Sequence, residues 1–413
     1  MLILHTGDWH VKDSAIDECR KVLGRLEAVA LDEQPDLIII AGDLTHRFDT
    51  RLDTATARLI VDTVLGLSSI APVVIVGGTP FHDGRTPELL THLRSDKVYV
   101  RCDYPGQVYL YGDQVADPDI HGAVIEAAEK GGIFPDAVIS IVPAPTKRFI
   151  EMVGTMQQVD GQIVAGMSLI MADLGARAAQ YRDIPHILIG HWSIGGAYTS
   201  ETQQMIGRDI ELHPDHVRAA AADLVCLGHI HRAQRVGNDP FFYSGSIYSL
   251  DAGELEDKGF YLHELDGKSL VNSRFISVGA TRRLVLSYDC VSNGTRPGDV
   301  VGLICDVPHT AIKDSLVKVT VKVWTDEVAQ LDFQQIETLL KENSAAGFTP
   351  NLIRVPRETV RCSELLKSQT LIEKLELMAK LRGEDLPAGI TEKISMIETH
   401  TPDDVLSQLP KAV

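Results

Sequence analysis

The chain has six cysteines, Cys19, Cys102, Cys226, Cys290, Cys305 and Cys362, and no CxxC pair among them. That spacing excludes a zinc-ribbon framework and, in 413 residues, makes a disulfide scaffold a poor reading; the thiols read as small buried hydrophobes in a reducing compartment. No apolar run approaches the roughly 18 residues of a membrane span. The start, MLILHTGDWH, lacks the basic n-region and cleavage site of a signal peptide, so a cytoplasmic protein is expected. Internal repeats and low-complexity tracts are also missing. So is any basic excess: 39 Lys and Arg stand against 57 Asp and Glu, a net charge of −18. Of these, residues 1–276 hold 23 basic against 38 acidic side chains. An acidic body argues against non-specific electrostatic coating of nucleic acid. It leaves room for a site whose local field comes from bound cations.

What is present is an ordinary globular composition, 44% apolar and 23% charged, on a length that predicts two or three domains. Short apolar runs alternate with amphipathic ones through residue 230. Strands are expected at Leu2–Thr6, Leu37–Ala41, Val73–Val76, Ile187–Ile189 and Leu224–Leu227, and helices near 14–32, 52–66, 118–129, 146–179 and 214–221. Asp13 or Ser14 offers an N-cap to the first helix. Such alternation predicts an α/β layered fold. Residues 241–288 read as β-rich. Strand, helix, strand at Leu316–Val323, 332–343 and Leu352–Val355 read as a small α+β unit, followed by a helix at 363–382 with one apolar face.

One pattern recurs five times: an apolar strand ends in a small residue or glycine and a ligand-type side chain follows. LILHTG leads to Asp8 and His10, LIIIAG to Asp43, VVIVGG to His82 and Asp83, ILIG to His191, and LVCLG to His229 and His231. Ligands of open α/β sheets bind outside the carboxyl ends of strands, so the five ends should converge. An Asp or His after a single strand is usually a turn former; five such ends together are not explained that way. Imidazole with carboxylate suits Mn, Zn, Fe or Co. A carboxylate at a strand end can bridge two metals, and such a pair suits in-line phosphoryl displacement. The other histidines read as ordinary polar residues, with His46, three after Asp43, the best contact candidate among them.

GDWH, GDLTH, the HD of GGTPFHD, GHW and GHIH, in that order, resemble the calcineurin-like metallophosphoesterases. The stretch YSGSIYSLDAGELEDKGFYLHEL (243–265) is similar to the segment that closes the phosphoesterase domain of SbcD-type DNA repair exonucleases. The resemblance implies a four-layer β-sandwich flanked by helices at 1–280, a small α+β capping domain at 281–358 and a helical tail at 359–413 that binds the coiled-coil base of an SbcC-type ATPase. It implies two divalent cations, manganese before magnesium, at one site. Asp8, His10 and His231 would hold the first, His191 and His229 the second, with Asp43 bridging. His82 would contact the scissile phosphate or protonate the leaving oxygen, and Asp83 would orient its imidazole. Arg85 and His46 are candidate DNA contacts.

The implied activity is DNA exo- and endonuclease at DNA ends, as a homodimer, in a bacterial or phage-infected cell. A phosphodiesterase acting on another substrate and a non-catalytic scaffold of the same complex are the alternatives. One departure stands out. The family's Gly-Asn-His-Asp supplies an Asn carbonyl to the second metal, and here Phe81 precedes His82. Phenylalanine cannot ligate, so the Thr79 hydroxyl, a backbone carbonyl or a water must serve, and weaker binding is expected at the second position.

Overall fold

The computed structural model describes the chain except residues 52, 85, 94, 96, 146–158, 201–202, 204–210, 252, 358–369, 384, 388 and 400–413, and the side chains of 88, 159–162, 381 and 396–399. Arg85 and residues 363–369 of the expected 363–382 helix therefore lie outside the described residues.

Two sheets form the body. In the first, Leu2–Thr6, Leu37–Ile40, Val73–Val76 and Val98–Arg101 run parallel, and the hairpin Gly259–Asp266/Ser269–Ser277 adds antiparallel to Leu2–Thr6. The second has the order Gln234–Arg235, Phe241–Tyr243, Leu224–Gly228, His186–His191, Ala137–Val142, Gly106–Tyr111, Gln114–Ala116. Its four central strands, Phe241–Tyr243 to Ala137–Val142, are parallel. The short runs LIII, VVIV and LVCLG are buried at every position, as expected of parallel strands covered on both faces.

Three apolar layers follow from that alternation. Ile3, Leu37, Ile39, Val74, Ile139, Ile187, Ile189 and Cys226 fill the space between the sheets. Leu4, Ile38, Ile40 and Ile75, on the opposite face of the first sheet, meet Val22, Leu26, Ile60 and Val64 of the helices Ile16–Glu33 and Ala55–Ser68. Leu188, Val225 and Leu227 meet Met167, Met171 and Leu174 of the helix Val159–Ala178. The expected four-layer arrangement of helix, sheet, sheet and helix is therefore present.

Expected strands and helices recur within a few residues at their ends, except that residues 146–158 of the helix expected at 146–179 lie outside the described residues, the described helix being Val159–Ala178. One cap differs. The first helix starts at Ile16 without a side-chain cap, because the Asp13 carboxylate instead accepts from Thr56 N (3.0 Å) and Thr56 Oγ1 (2.8 Å) at the start of the neighbouring helix.

A third sheet, in the order Arg282–Asp289, Ser315–Trp324, Gly347–Val355, carries the helices Val300–Cys305 and Phe333–Glu342. Contacts divide the chain into two units, Met1–Lys322 with Ala329–Ile353, and Val323–Val328 with Arg354–Val413. The α+β segment thus belongs largely with the body. In the second unit the helix Leu371–Arg382 opens on a capping box, Thr370 Oγ1 accepting from Glu373 N, and ends at Gly383 in the left-handed region. None of its described side chains is buried. No helix among the described residues is long and apolar enough to cross a membrane.

Candidate metal centre

Five parallel strands, three from the first sheet and two from the second, deliver their carboxyl ends to one place. Three of these strands, Leu2–Thr6, Leu37–Ile40 and Leu224–Gly228, lead into a backbone that ordinary residues avoid. Of eight non-glycine residues with positive φ among the described residues, four are Asp8, His10, Asp43 and His229, with φ of 47°, 41°, 52° and 94°. Each such position costs on the order of 1–3 kcal/mol and persists only where the surroundings over-determine it. Close approach does the same at Gly78, where a Cβ would sit 2.1 Å from Asp43 Oδ1.

The ligand atoms of Asp8, His10 and His231 lie within 4.8 Å of one another, and so do those of Asp8, Asp43 and His191. Asp8 is common to both groups. Asp43 reaches toward both as well, with Oδ2 3.3 Å from His191 Nε2 and 3.7 Å from His10 Nε2. His10 Nε2 and His231 Nε2 face each other at 3.1 Å. His229 joins neither group. Its ring lies edge-on to His191, with 5.4 Å between centroids, and its backbone N–H donates to both Asp8 oxygens at 2.9 and 3.0 Å.

The imidazoles are held from behind. His191 Nδ1–H donates to the Ala41 carbonyl (2.6 Å), His231 Nδ1–H to Glu254 Oε1 (2.8 Å) and His82 Nδ1–H to the His46 carbonyl (2.8 Å). Each of these bonds fixes the tautomer that leaves Nε2 for the site. Sequence reasoning missed Glu254. It is 2% exposed, and its other oxygen lies 2.8 Å from Lys258 Nζ, which also donates to Ser246 Oγ and the His231 carbonyl. Gln203 accepts from His231 N and donates to the His229 carbonyl, tying down the same turn. The only signal of this arrangement in the sequence is the Glu-x-x-x-Lys spacing after the GHIH motif.

His82 lies against His10, ring centroids 4.5 Å apart, and His46 is 5.9 Å from both. The role expected of Asp83 is corrected. Its carboxylate accepts from the backbone N–H groups of Asp43 (3.0 Å), Leu44 (2.6 Å), Thr45 (3.2 Å) and Gly78 (2.8 Å), so it clamps two loops together and leaves the His82 ring to the His46 carbonyl. The Phe81 side chain is 70% exposed. Thr79, the residue directly after Gly78, is the one beside the Asp43 carboxylate, donating to Asp43 Oδ1 from N (2.6 Å) and from Oγ1 (3.1 Å).

The protonation pattern asks for positive charge. Burial pulls the His191 imidazole down, but Asp43 and then Asp8 outweigh it and push it up to about 10. Asp8 is pushed up by burial, with Asp43 adding to it. Burial and then Asp43 push Asp83 up to about 7. Burial keeps His10 neutral, the ligating form. His10 Nδ1 is buried without a hydrogen-bond partner. Buried carboxylates crowded with imidazoles are a donor set that fits divalent cations of the borderline kind.

His5, Cys226 and His263 form another cluster of ligand-type atoms, between the sheets. Its hydrogen bonds account for it. The Leu227 carbonyl can only accept, so His5 Nε2–H donates to it (3.1 Å); His263 Nε2–H then donates to His5 Nδ1 (3.4 Å) and Ser273 Oγ–H to His263 Nδ1 (2.8 Å). Every ring nitrogen is satisfied within the core.

Known proteins carry the same kind of domain. The chain is 26% identical over 301 residues to the SbcD subunit of the nuclease SbcCD from Staphylococcus epidermidis, covering 69% of this chain and 71% of that protein. It is 29% identical over 287 residues to the corresponding SbcCD nuclease subunit of Rhodobacter capsulatus, covering 65% and 67%. Among solved structures, a dimetal phosphatase of Danio rerio aligns at 12% identity and a TM-score of 0.36, covering 68% of this chain and 99% of that one. The calcineurin-like phosphoesterase family matches residues 1–233, more than half of the chain, and the protein belongs to that family.

Proposed function

We propose that the protein is a two-metal DNA nuclease, the SbcD-type partner in an SbcCD-like complex, hydrolysing phosphodiester bonds at DNA ends together with a coiled-coil ATPase. The observation that carries this reading is the pair of ligand groups sharing Asp8, with His82 stacked edge-on against one of them. Asp8, His10 and His231 would hold one cation. Asp43, Asp8 and His191 would hold the other, with His229 at its edge and Thr79 in the place of the family's asparagine. Manganese suits these donors, and magnesium is the second choice. When bound, the pair supplies Lewis acidity that neutralises a phosphodiester and acidifies a water.

The chain's own part is positioning and proton transfer. Glu254, Ala41 O and His46 O hold three imidazoles in register. In its imidazolium form His82 carries a second proton on Nε2, on the far side of the ring from that backbone bond, and that proton would pass to the departing oxygen. The exposed Arg47 and Arg51 pair with Asp49 and Asp53, so they add little net positive field. The half-exposed helix Leu371–Arg382 is the segment proposed to dock on the ATPase by helix-in-groove packing. A homodimer in the cytoplasm completes the reading.

The test is hydrolysis of single- and double-stranded DNA beside bis-p-nitrophenyl phosphate, with manganese and with magnesium, with and without an SbcC-type partner. Turnover of the small diester with no cleavage of DNA would move the substrate elsewhere. Full nuclease activity in His82→Asn would end the mechanism.

A further inference from the structure

Two large aromatic side chains stand on the lip of the centre with little covering them: Phe81 is 70% exposed and Phe48 59%. Their backbones are joined, Phe48 N–H donating to the Phe81 carbonyl at 2.9 Å. The loops that carry them are locked to each other and to the site. Asp83 binds Leu44 N and Thr45 N, and the Thr45 hydroxyl donates to the His82 carbonyl. At Gly84, in the left-handed region, a Cβ would sit 2.5 Å from the Phe48 carbonyl oxygen. These are two aromatic rings on a braced rim, and Phe81 is one Cα step, about 3.8 Å, from His82.

Exposing one phenylalanine is unremarkable; exposing two on interlocked loops beside a phosphoesterase centre is a surface that lacks an occupant. The neighbouring groove, about 490 Å³, is lined by Lys12, His46, Arg47, Asp49, Arg51 and Thr54 among others. Its charges nearly cancel, since Arg47 pairs with Asp49 and Arg51 with Asp53. Binding at this lip must therefore come from stacking more than from charge.

We infer that Phe48 and Phe81 form a platform for the unpaired nucleobase next to the scissile phosphate, so that the centre works on single-stranded or frayed ends. This rests on the nuclease reading above and names the form of its substrate. The occupant follows from continuity: a phosphodiester set against His82 and His10 must carry its nucleoside out over this rim. Base–aromatic stacking is tolerant of sequence and is removed by alanine.

The experiment measures kcat/KM of the full chain with manganese on a single-stranded oligonucleotide and on the same strand made abasic at its terminal positions. Wild type should prefer the base-bearing strand. Phe48→Ala/Phe81→Ala should bring the ratio of the two toward one, through a loss of roughly 5- to 150-fold on the base-bearing strand. Phe81→Trp should keep the ratio. Equal losses on both strands would mean that the rings merely brace the His82 loop, and would overturn the inference. So would an unchanged ratio with weakened capture of the ATPase partner, which would make the rim a protein contact. Failure of wild type to cleave either strand would refute the nuclease reading itself, whereas cleavage with no ratio to lose refutes the platform alone.

Discussion

Replacing Glu254 by glutamine separates two things that this carboxylate does. Its Oε1 accepts the His231 Nδ1–H, and its Oε2 faces Lys258 Nζ at 2.8 Å, both side chains being 2% exposed. Glutamine can still accept from His231, but it sets a neutral amide against a buried ammonium. Breaking a buried pair from one side costs about 3–5 kcal/mol. Lys258 retains Glu256 Oε1 at 3.0 Å, Ser246 and the His231 carbonyl, so the lower end, about 3 kcal/mol, applies. Over a body of roughly 350 residues that corresponds to roughly 4 °C in its melting. Loss of a carboxylate behind a ligating histidine costs roughly 10–100-fold in metal affinity. The expected result for Glu254→Gln is a lower melting temperature and weaker manganese binding at one of two sites, read by calorimetric titration and by melting without metal. Adding Lys258→Met removes the stranded ammonium and should restore most of the melting temperature while leaving metal affinity low. A Glu254→Gln protein that binds both ions as wild type does would refute the claim that this carboxylate sets His231 for the metal.

Four further outcomes are expected. His82→Asn should lower nuclease kcat by about 10²–10⁴-fold, with manganese binding within threefold of wild type by titration, since a proton donor and not a ligand is removed. Gly78→Ala should abolish metal binding in the soluble fraction, because the new Cβ falls on the Asp43 carboxylate and backbone nitrogen; a variant that binds normally would show that the strand end can yield to a methyl group. His5, held by burial at about 3 despite its bond to the Leu227 carbonyl, should make the protein acid-sensitive. The neutral ring is favoured in the fold, so nothing is lost above the ordinary value of 6.5, and below it stability falls by about 1.4 kcal/mol per pH unit until about pH 3. Urea midpoints at pH 7 and pH 5 read this directly, and equal midpoints would contradict it. Truncation at about residue 360 should keep cleavage of short single strands and abolish pulldown of the ATPase partner; pulldown that survives would place the docking surface elsewhere.

The strands and helices of the body were legible because their signals are local. LIII and VVIV are too short and too uniformly apolar for anything but covered parallel strands, and the helices carry their own periodicity. The convergence of Asp8, His10, Asp43, His191 and His231 was legible for a related reason, since parallel strands send their carboxyl ends the same way. What could not be read is whatever depends on which atom faces which. Asp83 follows His82 in the chain, yet it spends its oxygens on four backbone N–H groups of other turns. Phe81 occupies the expected ligand's position by sequence, but the backbone turns it outward and brings Thr79 to Asp43. Glu254, 23 residues beyond His231, becomes its partner only because the chain folds back over the GHIH turn.

The cost of this site is carried at the strand ends where its side chains meet. Four residues with left-handed backbones, the buried Asp8 and Asp43 carboxylates and the buried His10 Nδ1 without a hydrogen-bond partner lie together. His191 is drawn toward protonation because the Asp43 and then the Asp8 carboxylates face it and outweigh its burial. Divalent ions should therefore stabilise the fold as well as serve the chemistry, by RT ln(1 + [L]/Kd), or about 2.7 kcal/mol at one hundred times Kd. Melting with and without manganese measures it. The gain should shrink in Asp43→Asn, which removes the charge that His191 and His10 both face; an undiminished gain there would mean that the ions bind somewhere else.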